Sequence, residues 1–264
     1  MVKVSDIAAV LERFAPLPLQ EDYDNAGLQV GNRSMAVSGV LLCLDVTPDV
    51  LEEARCRSCN MIVSHHPLIF GGLHSLTGDD PVQQVVIDAL RHDIAIYSAH
   101  TNLDSAWNGV SHEMATRLSM TDIKVLHPRV PALGDAPTGL GVIGNVVPTP
   151  RLEFLRMVKE KFGVKCLRYS AHSPRLVVKR VALCGGSGSS LIPDALRSGA
   201  DILVTADLKY HDFTSNAHRI ILADIGHYES ECCTESIFSR IIREEFPDLV
   251  VYFSEAQENP VAFL

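Results

Sequence analysis

Two stretches of this sequence carry one pattern, and that repetition limits the fold more than any other feature. Val40, Leu42, Cys43, Ala54, Val63 and Ser64 align without a gap on Val181, Leu183, Cys184, Ala195, Val204 and Thr205. Each stretch reads as a short apolar strand, a loop, a helix and a second apolar strand. Parallel strands need such a crossover, so each stretch is a βαβ unit. The likeness resumes one strand later. Ile94 to Ser98 precedes Ala99-His100-Thr101-Asn102-Leu103-Asp104, and Arg219 to Asp224 precedes Ile225-Gly226-His227-Tyr228-Glu229-Ser230-Glu231. Each strand thus ends on a histidine followed, four positions on, by a carboxylate. Apolar strands align easily by chance, but paired polar residues do not arise from a burial pattern. The expected fold is α/β, with two similar halves made by internal duplication.

The remaining pattern fills in both halves. Ser5 to Phe14 reads as a helix with Ser5 as N-cap. Strands are expected at Val37–Leu44, Met61–Ser64 and Ile94–Ser98, and helices at Pro48–Cys59, Pro81–His92 and Val110–Leu118. Two of those helices open with proline, whose missing N–H does no harm there. His127 to Thr138 is irregular and rich in proline and glycine, which places the connection at 127–138, the first half at 1–126 and the second at 139–264. The second half has expected strands at Gly141–Val147, Cys166–Ser170, Arg180–Cys184, Ile202–Thr205, Ile220–Asp224 and Leu249–Phe253. Its helices are expected near Arg151–Phe162, Leu191–Ser198 and Glu229–Glu245.

At 264 residues the chain can bury a substantial core. No apolar run approaches the ~20 residues of a membrane helix. Lys3, Asp6, Glu12 and Arg13 break up the N-terminal segment, which reads as an amphipathic helix and not as a signal peptide, so the expected location is the cytoplasm. The net charge is −9, and no Lys/Arg cluster exceeds a pair. Nucleic acid is therefore disfavoured as a partner. Seven cysteines in such a chain are not expected to form structural disulfides. Cys56 and Cys59 form a lone CxxC, and with Cys232 and Cys233 they are expected to pack as small hydrophobes.

The candidate chemistry lies after predicted strands. His65 and His66 follow Met61–Ser64 directly, with Pro67 turning the chain. Ligands gather at the carboxyl ends of strands in open α/β sheets. His227 and Glu231 share a helix face, and His100 and Asp104 repeat that arrangement. His65, His66, His100, Asp104, His227 and Glu231 offer imidazole nitrogens and carboxylate oxygens, a set suited to zinc, iron or manganese. Six ligands exceed one tetrahedral site and suit two divalent ions bridged by a carboxylate. Such a pair activates water, which points to hydrolysis. In Gly185-Gly186-Ser187-Gly188-Ser189-Ser190, the residues Gly186, Ser187 and Gly188 are candidates for holding a phosphate, although a tight turn explains the glycines nearly as well. Asp207-Leu208-Lys209-Tyr210-His211-Asp212 follows the strand that duplicates the one before His65. It is expected to touch substrate, with Lys209 as anion partner and His211 as proton carrier. Glu229 is a second candidate proton carrier. Asp24 to Gly31 reads only as a turn.

At these segments the chain resembles the dinuclear-metal proteins known as type 2 GTP cyclohydrolase I homologues, the NGG-interacting-factor-three-like family. DNAGLQVG, SHHPLIF, AHTNLD, CGGSGSS, DLKYHD, GHYESE and SEAQENP carry the likeness, in order, over residues 24 to 260. The resemblance implies two α/β halves facing each other around a dinuclear metal site and assembly into a homohexamer. It implies metal ligands at His65, His66, Asp104, His227 and Glu231, while the repeat adds His100. It further implies a small-molecule substrate, a nucleotide such as GTP, attacked by metal-activated water. The alternative is a non-catalytic metal-binding protein acting in metal handling or partner recognition.

Overall fold

The structure is a computed structural model that describes residues 1–129 and 136–264. The chain runs through α1 (Val4–Phe14), β1 (Gly27–Val30), β2 (Val40–Cys43), α2 (Pro48–Cys56), β3 (Met61–Ser64), α3 (Pro81–Arg91), β4 (Ala95–Ser98) and α4 (Thr101–Ser105). Then come α5 (Val110–Arg117), β5 (Thr121–Pro128), β6 (Gly139–Pro150), α6 (Arg151–Lys161), β7 (Arg168–Tyr169) and β8 (Val177–Ser187). It closes with α7 (Ile192–Arg197), β9 (Ile202–Ala206), α8 (Tyr210–Asn216), β10 (Ile221–Asp224), α9 (His227–Glu231), α10 (Thr234–Glu245) and β11 (Val251–Phe253). These elements form two compact units. One holds Met1–Leu103 and Thr234–Pro260, and the other holds Asp104–Cys233 and Val261–Leu264.

The first unit is built on a sheet of order β1-β4-β3-β2-β11. Strands β2, β3, β4 and β11 run parallel, and β1 pairs antiparallel with β4. Every residue of β2, β3 and β4 is buried, as a parallel sheet covered on both faces requires. The crossover helices start on schedule: the Thr47 hydroxyl accepts from the Val50 N–H and the Asp80 carboxylate from the Gln83 N–H, each ahead of a proline. The second unit carries the order β5-β6-β8-β9-β10-β7, with β8, β9 and β10 parallel. The parallel trio β2-β3-β4 of one sheet thus has its counterpart in β8-β9-β10 of the other. A short helix follows the last strand of each trio.

Several details depart from the sequence reading. Val251–Phe253 joins the first sheet, pairing with Val40–Leu42, although it was expected within a second half at 139–264. Helix α10 accompanies it and packs Ile237, Phe238, Ile241 and Ile242 inward, in contact with α1 and β2. Periodicity shows that a strand is buried but not whose edge it joins. The helix expected from Glu229 to Glu245 is broken at Cys232–Cys233 into α9 and α10. Ser5 is not the N-cap of α1. The helix begins at Val4, where the Asp6 carboxylate accepts from the Lys3 N–H at 2.9 Å. The segment read only as a turn contains β1. His127 and Pro128 end β5, which pairs with β6, while residues 130–135 of the expected connection lie outside the described residues. Cys59 is buried as expected, whereas Cys56 is exposed.

The returning C-terminal segment is clamped. The Glu53 carboxylate on α2 accepts from the Ser254 hydroxyl at 2.6 Å and from the backbone N–H groups of Glu255 and Ala256 at 3.0 Å. Burial opposes the charge of Glu53. The bonds from Ser254, Glu255 and Ala256, together with Arg57, nevertheless hold its carboxyl below the usual range. A depressed carboxyl stabilises the fold at neutral pH, and that contribution is lost as pH falls through its folded value. Glu53→Ala should therefore cost about 2 kcal/mol, the scale of hydrogen bonds to a charged acceptor. It should also raise amide exchange at 254–257 and flatten the acid limb of a stability-versus-pH curve.

Candidate metal centre

In the first unit, the histidines stand where two adjacent parallel strands end. Ser64 of β3 lies opposite Ser98 of β4, and their hydroxyls are 2.8 Å apart. His65 follows at once and is fully buried. Its Nδ1 is 2.8 Å from the Ala99 carbonyl oxygen, which can only accept. Nδ1 therefore carries the hydrogen, and in the neutral ring Nε2 keeps its lone pair. The Nδ1 atoms of His66 and His100 donate to Asp45 and Asp24, each over 2.8 Å. Ring centroids lie 5.2 Å (His65–His66), 5.3 Å (His65–His100) and 5.5 Å (His66–His100) apart. One nitrogen from each ring lies within 4.8 Å of the others. Crowded imidazoles held in this way match the outer-shell pattern of metal-ligating histidines.

Asp24 anchors this arrangement. Its side chain is fully buried, and it accepts from the Thr101 N–H at 3.0 Å and from the Thr101 hydroxyl. Burial opposes its ionisation, but the bonds from His100 and Thr101 and the positive character of His100 outweigh it. The carboxyl is held well below the usual range.

In the second unit, β10 leads through Gly226 into α9, with His227 first and Glu231 last. The two share a face, and His227 Nε2 lies 2.9 Å from Glu231 Oε2. His227 Nδ1 donates to Asp207 over 2.7 Å. Asp207 has φ +56°, a left-handed conformation that costs a non-glycine residue energy and is tolerated best by Asp and Asn. It stands just past β9, at the place where the repeat puts His66 in the first unit. Buried Glu231 also has an Asp104 oxygen within 4.8 Å. The hydrogen bond to Glu231 pushes His227 up to about 9, against its burial and with the help of Asp207. A cation held by His227 Nε2 and Glu231 would have to displace the proton they share.

The glycine-rich segment serves this carboxylate directly. Gly185, Gly186 and Ser187 belong to β8, not to a loop. A Cβ on Gly186, which has φ +57°, would meet Glu231 Oε1 at 2.1 Å. The Gly186 N–H donates to the Ser230 hydroxyl at 2.9 Å, and its carbonyl accepts from the Thr205 hydroxyl at 2.9 Å. A Cβ on Gly188 would meet Thr205 Oγ1 at 2.3 Å. Close packing against the Glu231 carboxylate thus requires glycine at 186, and packing against Thr205 and Cys184 requires it at 188. Lys209 caps α8, its N–H donating to Asp212 at 2.8 Å, and His211 is exposed on the first turn. Neither stands among the metal-candidate groups. Glu229 is buried, its carboxylate folded over Gly226.

The buried His, Asp and Glu side chains can hold a metal ion. A donor set rich in imidazole nitrogen suits a transition metal. Sequence reasoning missed Asp24 and Asp45 and gave Asp207 a substrate contact instead of its bond to His227. Only Asp207 left a signal, through its alignment with His66. No helix among the described residues is long and apolar enough to cross a membrane.

A family model described as Duf34/NIF3 (NGG1p interacting factor 3) matches residues 2–260. A Lactococcus lactis protein named GTP cyclohydrolase 1 type 2 homolog is 35% identical, with 98% of each chain covered. A Clostridium perfringens protein of the same name is 33% identical over 100% of both. The crystal structure of the Staphylococcus aureus protein SA1388 superposes with a TM-score of 0.88 at 26% identity, covering 100% of this chain and 99% of that one.

The His227 pair sets how metal affinity should depend on pH. Cation binding must release its proton, so zinc affinity measured by competition titration should rise with pH from 7 towards about 9 and then level. Asp207→Asn should flatten that rise. In the metal-free protein the sign is opposite: a raised histidine stabilises fully below 6.5, and that stability is lost as pH passes about 9. Gly186→Ala should remove most bound metal, read by elemental analysis, because its Cβ displaces the Glu231 carboxylate.

Proposed function

Because the chain belongs to the Duf34/NIF3 (NGG1p interacting factor 3) family, we propose that it is a metal-dependent hydrolase of a small phosphorylated substrate, in the first place a nucleotide. His65, His66 and His100 of the first unit, with Asp104, His227 and Glu231 of the second, are the proposed ligands of two divalent ions, zinc, iron or manganese. Bound ions of this kind lower the pKa of water and polarise the group under attack. The observation that carries the reading is the set of oxygen acceptors, the Ala99 carbonyl, Asp45 and Asp24, which aim the three imidazoles of one unit.

The chain's own side chains have the remaining tasks. Asp24 and Asp45 keep Nδ1 of His100 and His66 protonated, so that Nε2 is the donor atom. Asp207 does the same for His227. His66 and His100 are only half-buried, which leaves an accessible face and favours reaction over a sealed structural clamp. The imidazole of His211 and the carboxylate of Glu229 are the proposed proton carriers. Lys209 is proposed as the partner of an anionic group, and so is the Gly186-Ser187-Gly188 segment. The shared name of the Lactococcus and Clostridium relatives supports a guanine nucleotide. A homohexameric assembly in the cytoplasm completes the proposal. The second reading, metal handling or partner recognition without catalysis, is favoured by the near-complete burial of His65 and Glu231.

Protein loaded with each metal in turn should release formate from GTP or hydrolyse a phosphoester in a panel. Asp104→Ala should lower kcat on the order of 100-fold while leaving the far-UV melting curve in place. Absence of any turnover at full metal occupancy would overturn the hydrolase and leave the metal-handling reading.

A further inference from the structure

Beside the histidine cluster of the first unit lies an aromatic pair that none of the proposed ligands needs. Phe70 is 53% exposed and Tyr23 is 65% exposed, large fractions for side chains that lose free energy in water. Their ring centroids are 6.3 Å apart with planes tilted by 49°. Phe70 also meets His100 edge-on, at 6.1 Å and 74°. The pair therefore continues the wall that the metal-candidate histidines begin.

Phe70 is held in this exposed position. The preceding Leu68 is buried, and Ile69 packs against the core of the first unit. Side chains from the segment before and within β1 fix the Ile69 backbone. The Asn25 amide donates to the Ile69 carbonyl at 2.6 Å, and the Gln29 side-chain oxygen accepts from the Ile69 N–H at 2.8 Å. The Gln29 amide donates back to the Asn25 carbonyl at 2.5 Å. Asp24 and Asn25 are neighbours, so one short segment orients His100 through the first and the Phe70 loop through the second. A mobile loop turned outward would not need both hydrogen-bonding groups of Ile69 secured.

We infer that Tyr23 and Phe70 form a stacking platform for a planar heteroaromatic ring, placing the edge of that ring beside His100. Aromatic faces bind any such ring through its π-surface, with little dependence on its substituents. The inference rests on the metal-site reading above and adds the class of ligand: a compound whose ring, as well as its phosphate, is recognised. It also gives Asn25 and Gln29, whose side chains hold both backbone groups of Ile69, a role as positioning residues for Phe70.

The test is calorimetric titration of the metal-loaded full chain with guanosine 5′-monophosphate and, as a probe lacking the ring, ribose 5-phosphate. Wild type should bind the nucleotide about tenfold tighter, the scale of one base stacked on an aromatic side chain. Phe70→Leu, which keeps apolar volume but removes the ring, should erase that difference. Phe70→Trp should keep it, and metal content should be unchanged in both. Equal binding of the two probes, no nucleotide binding by wild type, or a preference that survives in Phe70→Leu combined with Tyr23→Ala would overturn the inference. GTP turnover is followed on the same samples. Ring-dependent binding without turnover sinks the hydrolase and leaves the platform, whereas turnover without ring dependence does the reverse.

Discussion

In each unit the aim of the candidate histidines depends on hydrogen bonds made at Nδ1. Each histidine spends Nδ1 on an oxygen acceptor: the Ala99 carbonyl, Asp45, Asp24 or Asp207. An imidazole ring is rigid, so fixing one nitrogen aims the other. The acceptors are fixed in their turn. Asp24 is held by both donors of Thr101, and Asp207 sits just past β9 in a left-handed backbone conformation. Without these acceptors, several imidazoles brought together would tend to turn outward to water.

This dependence explains what the sequence made legible. Four of the candidate metal-binding residues were visible because they repeat, and His65 and His66 because they stand together at a strand end. His100 with Asp104 and His227 with Glu231 recur after matching strands, and β2-β3-β4 and β8-β9-β10 place them as their patterns require. The acceptors were not visible, because they follow no common rule. One is a main-chain carbonyl, one lies in a segment that reads as a turn, one follows β2, and one replaces a histidine of the other unit. Hydrogen bonds to Nδ1 are made across long separations in sequence, as from Asp24 to His100, and no local pattern records them.

The glycine-rich segment shows the same limit from the other side. Its composition fits a phosphate cradle and a close approach of chain to chain equally well. The structure adds a close approach that composition does not record: the space a Cβ would need at Gly186 is filled by the Glu231 carboxylate. Likewise β11 has an unremarkable apolar pattern. Its assignment to the first sheet comes from pairing with β2 and from the Glu53 clamp, neither of which is local.

The position of β11 has a bearing on synthesis at the ribosome. The sheet that carries His65, His66 and His100 receives its last edge strand only after the entire 104–233 unit has been made. Until then β2, fully apolar, presents an unpaired edge of the kind that recruits strands from other chains. The intervening unit can fold meanwhile on its own contacts. A ribosome stalled before Val251, or a protease cutting after Glu245, would leave a chain with its histidine cluster intact and its aggregation guard missing.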